Sequence, residues 1–175
     1  MLWLADAIEA IRDFMNLGGP VLRAIAVTIF VMWVLIVERI IFFRTSMKKM
    51  SRDIYDQWES RSERQSWNAK QIRELLISRF SEETNKGISV IQTLVALCPL
   101  LGLLGTVTGM ISVFQVMAVS GSGNVRAMAA GVSQATVPTM AGMVGALSGV
   151  LLITLLSRRA AHEVEFLEDS LTMDH

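Results

Sequence analysis

With a single cysteine, Cys98, the chain has no internal disulfide, which excludes a disulfide-stapled scaffold. It has no surplus of basic charge either. Sixteen Lys and Arg face sixteen Asp and Glu, so a nucleic-acid surface has no electrostatic footing. Patterns of the HExxH, CxxC, GxSxG and phosphate-loop kind are missing, and with them the usual grounds for expecting an enzyme, a metal or a cofactor. The most informative absence is local. Residues 87–125 contain no Lys, Arg, Asp or Glu, and neither do residues 127–157. Each run exceeds the ~20 residues that cross a bilayer. A chain of 175 residues that is 52% hydrophobic, 18% charged and has a mean hydropathy of +0.47 is therefore read as an integral membrane protein built from a few long helices.

Along the chain, residues 1–18 hold a short amphipathic helix. Leu4, Ile8, Ile11 and Met15 recur at helical spacing while Asp6, Glu9, Arg12 and Asp13 point elsewhere. Such a stripe lies on a membrane rather than crossing it. Its acidic start without a basic leader does not read as a secretory signal. Gly18-Gly19-Pro20 breaks this helix, and Pro20 suits the first turn of the next. The first transmembrane helix is expected over 19–43, with Arg23 snorkelling to one side and Arg39 and Arg44 to the other. Glu38 is the only acid inside any predicted span, and beside Arg39 it reads as half of an interfacial ion pair.

Residues 44–86 are polar, yet their pattern is helical. Ile72, Leu75, Leu76 and Phe80 make a stripe, and Tyr55 and Trp58 are three apart. The second transmembrane helix lies within 87–119 and the third within 127–157. A 33-residue helix measures about 50 Å, more than the ~30 Å hydrocarbon layer, so both protrude, on the side of the polar region. Residues 120–126 form the turn of an antiparallel hairpin, and 158–175 form a tail. The predicted class is all-α: a polytopic membrane protein with three transmembrane helices and long cytoplasmic helical extensions. Arg44, Lys48, Lys49 and Arg52 after the first span, with Arg158 and Arg159 after the third, put 44–86 and the C-terminus in the cytoplasm and the N-terminus outside.

The second and third spans repeat one device. Gly102, Gly105 and Gly109 are spaced by three and four, and so are Gly142, Gly145 and Gly149. Small residues on one helix face let backbones approach closely, so these six glycines are expected at helix packing. Thr106 sits on the first glycine stripe and Thr139 precedes the second by three residues. Hydroxyls in lipid commonly bond the carbonyl one turn back; two of them on small-residue faces also suit a surface that water or a partner touches. Neither span carries a carboxylate or a histidine. A proton relay needs groups that titrate, so if this chain conducts protons, another chain brings the acid. Pro99 and Pro138 each bend a span, Cys98 reads as a packed thiol, and His162 and His175 read as solvated residues of the acidic tail.

The run Cys98-Pro99-Leu100-Leu101-Gly102-Leu103-Leu104-Gly105-Thr106-Val107-Thr108-Gly109-Met110 resembles the second-span signature of the MotA/TolQ/ExbB proton channel family. Gly131-Val132-Ser133-Gln134-Ala135-Thr136-Val137-Pro138-Thr139-Met140-Ala141-Gly142 resembles its third-span signature. Length and three-span topology resemble the ExbB branch most, then TolQ; MotA has a fourth span and a larger cytoplasmic region. The resemblance implies a homopentamer in a bacterial inner membrane, an oligomeric ring whose second and third helices line a pore. Inside it would sit the transmembrane helices of an ExbD-like partner, each with one Asp, and a TonB-like protein would carry force to outer-membrane receptors. It also implies pore positions at Thr106 and Thr139. The family commonly has Glu where this chain has Gln134, which shifts proton chemistry further onto the partner's Asp. Gln134 and Thr139 lie about 140° apart on a regular helix, so sharing one face needs the bend that Pro138 supplies. One proton falling through 100 mV releases ~2.3 kcal/mol, enough for a few protons to drive a ring over a modest barrier. A different class stays open on the same residues: a non-conducting membrane scaffold, in which the small faces serve packing alone.

Overall fold

The computed structural model describes residues 2–61, 63, 66–120 and 125–171, and the statements below concern those residues. They form five helices and no strand: α1 (Leu2–Leu17), α2 (Gly19–Glu59), α3 (Trp67–Asn85), α4 (Ile88–Ser120) and α5 (Val125–Ser170). The hairpin turn expected at 120–126 falls mostly on residues 121–124, which lie outside the described residues, as does His175.

The punctuation is chemical. α1 gives way to α2 where Gly19 takes φ +65°, a conformation that needs no Cβ, and Pro20 has no N–H to offer. Between Pro20 and Gly87 there is neither glycine nor proline. Accordingly α2 runs for 41 residues, about 60 Å, straight through the change from apolar to polar sequence at Arg44. It stops in the serine-rich stretch from Ser60 to Ser66, and Ser66 caps α3 by accepting from the Ala69 N–H at 3.2 Å. Gly87, at φ +78°, separates α3 from α4. The stretch 158–175, read as a tail, is helical to Ser170 as the end of the 46-residue α5.

Contacts divide the chain into two compact units, Met1–Trp33 with Thr93–Val150, and Val34–Gln92 with Leu151–His175. In the first, α4 and α5 are antiparallel. Contacts pair Gly109 with Ala135, Gly102 with Thr139, and Gly149 with Val95, so one number rises as the other falls. α2 joins them parallel to α5, with Ile29 against Gly145 and Met32 against Gly149. The buried residues are slender or flexible: Leu22, Ile25, Met32, Val95, Cys98, Ala135 and Ala146. Large apolar residues stay outside, among them Phe30, Leu103, Phe114, Val144 and Leu147. On α1 two residues of the expected stripe are likewise outward, Ile8 66% and Ile11 63% exposed, and Met15 is half-buried.

The second unit buries bulk: Trp58, Phe80, Met47, Leu167 and Leu171. Of the predicted α3 stripe, Leu76 and Phe80 are buried, Ile72 is half-buried and Leu75 is exposed. Arg73 ties α3 to the end of α5, donating through Nε to Leu171 O and through Nη2 to Glu168 O, both at 2.7 Å. These are carbonyls that a helix C-terminus leaves without partners.

Three helices are long and apolar enough to cross a membrane: α2, the α3–α4 stretch to Val119, and α5. No more than 33% of the most apolar window of each is buried within the chain. Apolar faces this large on all three require lipid or neighbouring chains. The protein is thus an all-α, multi-pass membrane protein.

Candidate proton pathway on α4 and α5

The six glycines on the two stripes are buried, and each marks a close approach within the chain. A Cβ at Gly142 would lie 2.5 Å from Cys98 O; one at Gly109 would lie 2.5 Å from Ala135 Cα. At Gly102 the nearest atom would be Thr139 Cα at 3.0 Å, and at Gly105 the ring of Pro138 fills the space. These four hold α4 backbone against α5 backbone or ring. Gly145 and Gly149 differ: a Cβ there would meet side-chain ends, Ile29 Cδ1 at 2.5 Å for the first, and Val95 Cγ2 at 2.5 Å and Met32 Sδ at 2.7 Å for the second.

The polar side chains sort by where their hydroxyl protons go. Thr108 donates to Leu104 O and Gly105 O, Ser112 to Thr108 O, Thr136 to Ser133 O and Ser148 to Gly145 O, all within their own helices. Thr106 does the same, donating to Leu103 O at 2.7 Å while staying half-buried. Thr139 is different. Its Oγ1 crosses from α5 to donate to Gly102 O on α4 at 3.1 Å. In α-helical register that carbonyl is also the acceptor for the Thr106 amide. The two threonines therefore converge on one peptide group, Thr106 through its main chain and Thr139 through its side chain.

Gln134 lies elsewhere. Five residues along α5 amount to about 7.5 Å of rise, and its amide Nε2 sits against the Gly19 backbone at the α1–α2 junction. It borders a hollow of about 110 Å³ shared with Thr108 and Ser112, and a second of about 330 Å³ shared with Asn16 and Ser112. Pro138 lacks an N–H, so the Gln134 carbonyl has no helical donor and faces a region already rich in polar groups. The structure thus brings Thr106 and Thr139 together and leaves Gln134 apart from them.

Arg39 departs from its expected snorkelling. It is 7% exposed; its Nη1 donates to Glu83 O at 3.4 Å, its guanidinium lies 5.1 Å from the Phe42 ring centre, and it packs on Gly87. Glu38 is 3.8 Å away from Arg39 Nε but mostly exposed, a loose pair at best. The cause is the turn at Gly87, which brings the carbonyl end of α3 over α2 where a solvated face was expected. The only sequence signal for this was an arginine so close to an apolar run. Among the described residues no cluster of His, Cys, Asp or Glu could hold a metal ion.

The family model described as the MotA/TolQ/ExbB proton channel family matches residues 37–169. An ExbB-like biopolymer transport protein of Synechocystis sp. (strain ATCC 27184 / PCC 6803 / Kazusa) is 34% identical over 84 residues, covering 46% of this chain and 33% of that protein. The matched stretch is thus about a third of that relative's length. The family match is far broader: it takes in the end of α2, all of α3 and α4 and nearly all of α5, including the paired glycines, Thr106, Thr139 and the bonds that join them. On that breadth, the chain belongs to the MotA/TolQ/ExbB proton channel family.

Proposed function

We propose that the chain is the pore-forming stator subunit of an ExbB-like motor in a bacterial inner membrane, driven by the proton-motive force. In this reading copies of the chain form a homopentameric ring with α4 and α5 toward the lumen, the N-terminus in the periplasm and the C-terminus in the cytoplasm. An ExbD-like partner contributes a transmembrane Asp, and a TonB-like protein passes the force to outer-membrane import. The observation that carries the reading is a polar station without an acid: the Thr139 hydroxyl bonds Gly102 O and the Thr106 hydroxyl bonds the next carbonyl along, Leu103 O, on helices with no titratable carboxylate or imidazole over 87–125 and 127–157. After donating to Leu103 O, the Thr106 oxygen retains lone pairs for water or a partner's protonated carboxyl. The similarity to the ExbB-like biopolymer transport protein of Synechocystis supports a transport system over a TolQ-like role in envelope maintenance.

The scaffold reading has one observation in its favour. The Thr106 hydroxyl is bonded to its own helix, as in a span that conducts nothing. Native mass determination with and without a co-expressed ExbD-like partner separates the two. The motor reading expects a five-copy ring that retains partner chains, and loss of energy-dependent uptake in Thr106→Val with the ring intact. A ring that excludes the partner, or normal uptake by an assembled Thr106→Val complex, overturns it.

A further inference from the structure

Within the second unit, α2 and α5 border a groove of about 340 Å³. Its floor is apolar: Ile40 and Phe43 from α2, Leu152, Leu155 and Leu156 from α5. Its other end is basic, with Arg44, Lys48 and Arg159. On both helices the change comes in the same direction along the chain and within a few residues, from Phe43 to Arg44 and from Leu156 to Arg159. One acid, Glu163, lines the groove against three cations, and among the described residues none of those cations has an ion pair. Three positive side chains gathered beside a single acid leave an excess of positive charge that an anion would offset. At the end of two apolar spans, the anion within reach is the phosphate of a lipid.

We propose that this groove holds one anionic phospholipid, its phosphate among Arg44, Lys48 and Arg159 and an acyl chain along the Phe43–Leu156 floor. The volume lies in the range of ligand sites, and basic pockets between transmembrane helices on the cytoplasmic side select anionic head groups. The same three cations contribute to orientation through their charge, but orientation alone does not require that they share a groove with an apolar floor. The proposal needs only that the chain spans a membrane. It does not rest on proton conduction, so either reading can fail without the other.

The test uses the purified, delipidated full-length protein in detergent, titrated with phosphatidylglycerol, phosphatidylcholine or inorganic phosphate and followed by native mass spectrometry and thermal melting. The wild type is expected to retain phosphatidylglycerol and gain stability from it, with phosphatidylcholine much weaker. Arg44→Gln and Arg159→Gln each weaken phosphatidylglycerol about fivefold, and the pair about thirtyfold, from the scale of one basic residue at an anionic surface. Leu155→Trp, at an exposed position, fills the floor and weakens the lipid without altering melting in its absence. Arg126→Gln, on the far end of α5, changes nothing. Equal affinity for the two lipids, or phosphatidylglycerol binding unchanged in the double variant, overturns the proposal. So does inorganic phosphate displacing the lipid at equal concentration, which would mark a phosphate site. A cross-link between copies through Leu155→Cys that persists after delipidation and excludes phosphatidylglycerol would show a neighbouring copy in the groove and would also overturn it.

Discussion

The two units of this chain are held together by opposite means. The first packs by what its residues omit. Gly102, Gly105, Gly109 and Gly142 bring α4 and α5 to backbone contact, while Phe30, Leu103, Phe114, Val144 and Leu147 face outward. The second packs by bulk, burying Trp58 and Phe80 and fastening helix ends with Arg39 and Arg73. Water explains the difference. Where a helix leaves lipid, burying a large apolar side chain removes it from water and stabilises the fold by about 1.5–3 kcal/mol. Inside lipid that gain vanishes, and close packing and interhelical hydrogen bonds remain. A stretch in lipid therefore has use for thin faces and one in water for thick ones, and α2 and α5 each run through both units.

The largest expected effect lies in the thin unit. Gly142→Leu would drive a side chain into Cys98 O, a backbone atom that cannot turn aside, and no folded protein should be recovered. Gly142→Ala should cost about 1–3 kcal/mol as overpacking. Gly149→Ala should cost less, because the new methyl would meet side-chain ends, Val95 Cγ2 and the flexible Met32, rather than backbone. Detergent melting of the two alanine variants checks the order; equal losses would mean that backbone contact is not what distinguishes these glycines. In the thick unit, Trp58→Ala should cost about 3–5 kcal/mol, measured by denaturant unfolding. A smaller loss than in Gly149→Ala would break the comparison outright.

Polar contacts rank below these. Arg73→Gln removes two bonds from the α5 C-terminus and should cost roughly 1–2 kcal/mol, visible as faster hydrogen exchange over 165–171 and not over 127–150. Thr139→Val removes one interhelical bond in lipid and should cost about 1 kcal/mol. A melting loss several times larger would assign Thr139 a packing role beyond its hydroxyl.

Composition made the class legible. Two charge-free runs and a third apolar segment at 24–37 left little alternative to three membrane helices. Two signature runs around Gly102 and Gly142 made the family legible. What depended on register was not legible. Nothing at Arg44 says that α2 continues to Glu59; only the lack of Gly and Pro permits it. Arg39 meets Glu83 O, 44 residues away, because Gly87 turns the chain there, and no local pattern encodes that pairing. The same holds at the candidate site. Spacing placed Thr139 on its helix, but that its hydroxyl reaches Gly102 O, while Gln134 turns to Gly19, follows from how α4 and α5 are matched in height.

The central claim is that Thr106 and Thr139 form a station for protons carried by a partner's carboxylate. Proton flux into proteoliposomes under an imposed membrane potential tests it most directly, with this chain alone, with the proposed ExbD-like partner, and with that partner plus Thr106→Val. The account predicts flux only with the partner, and a loss of about tenfold or more in Thr106→Val at unchanged subunit composition, since a hydrogen bond to a charged group is worth roughly 1.5–3 kcal/mol. Equal flux with and without the partner, or undiminished flux through an intact Thr106→Val complex, would contradict it.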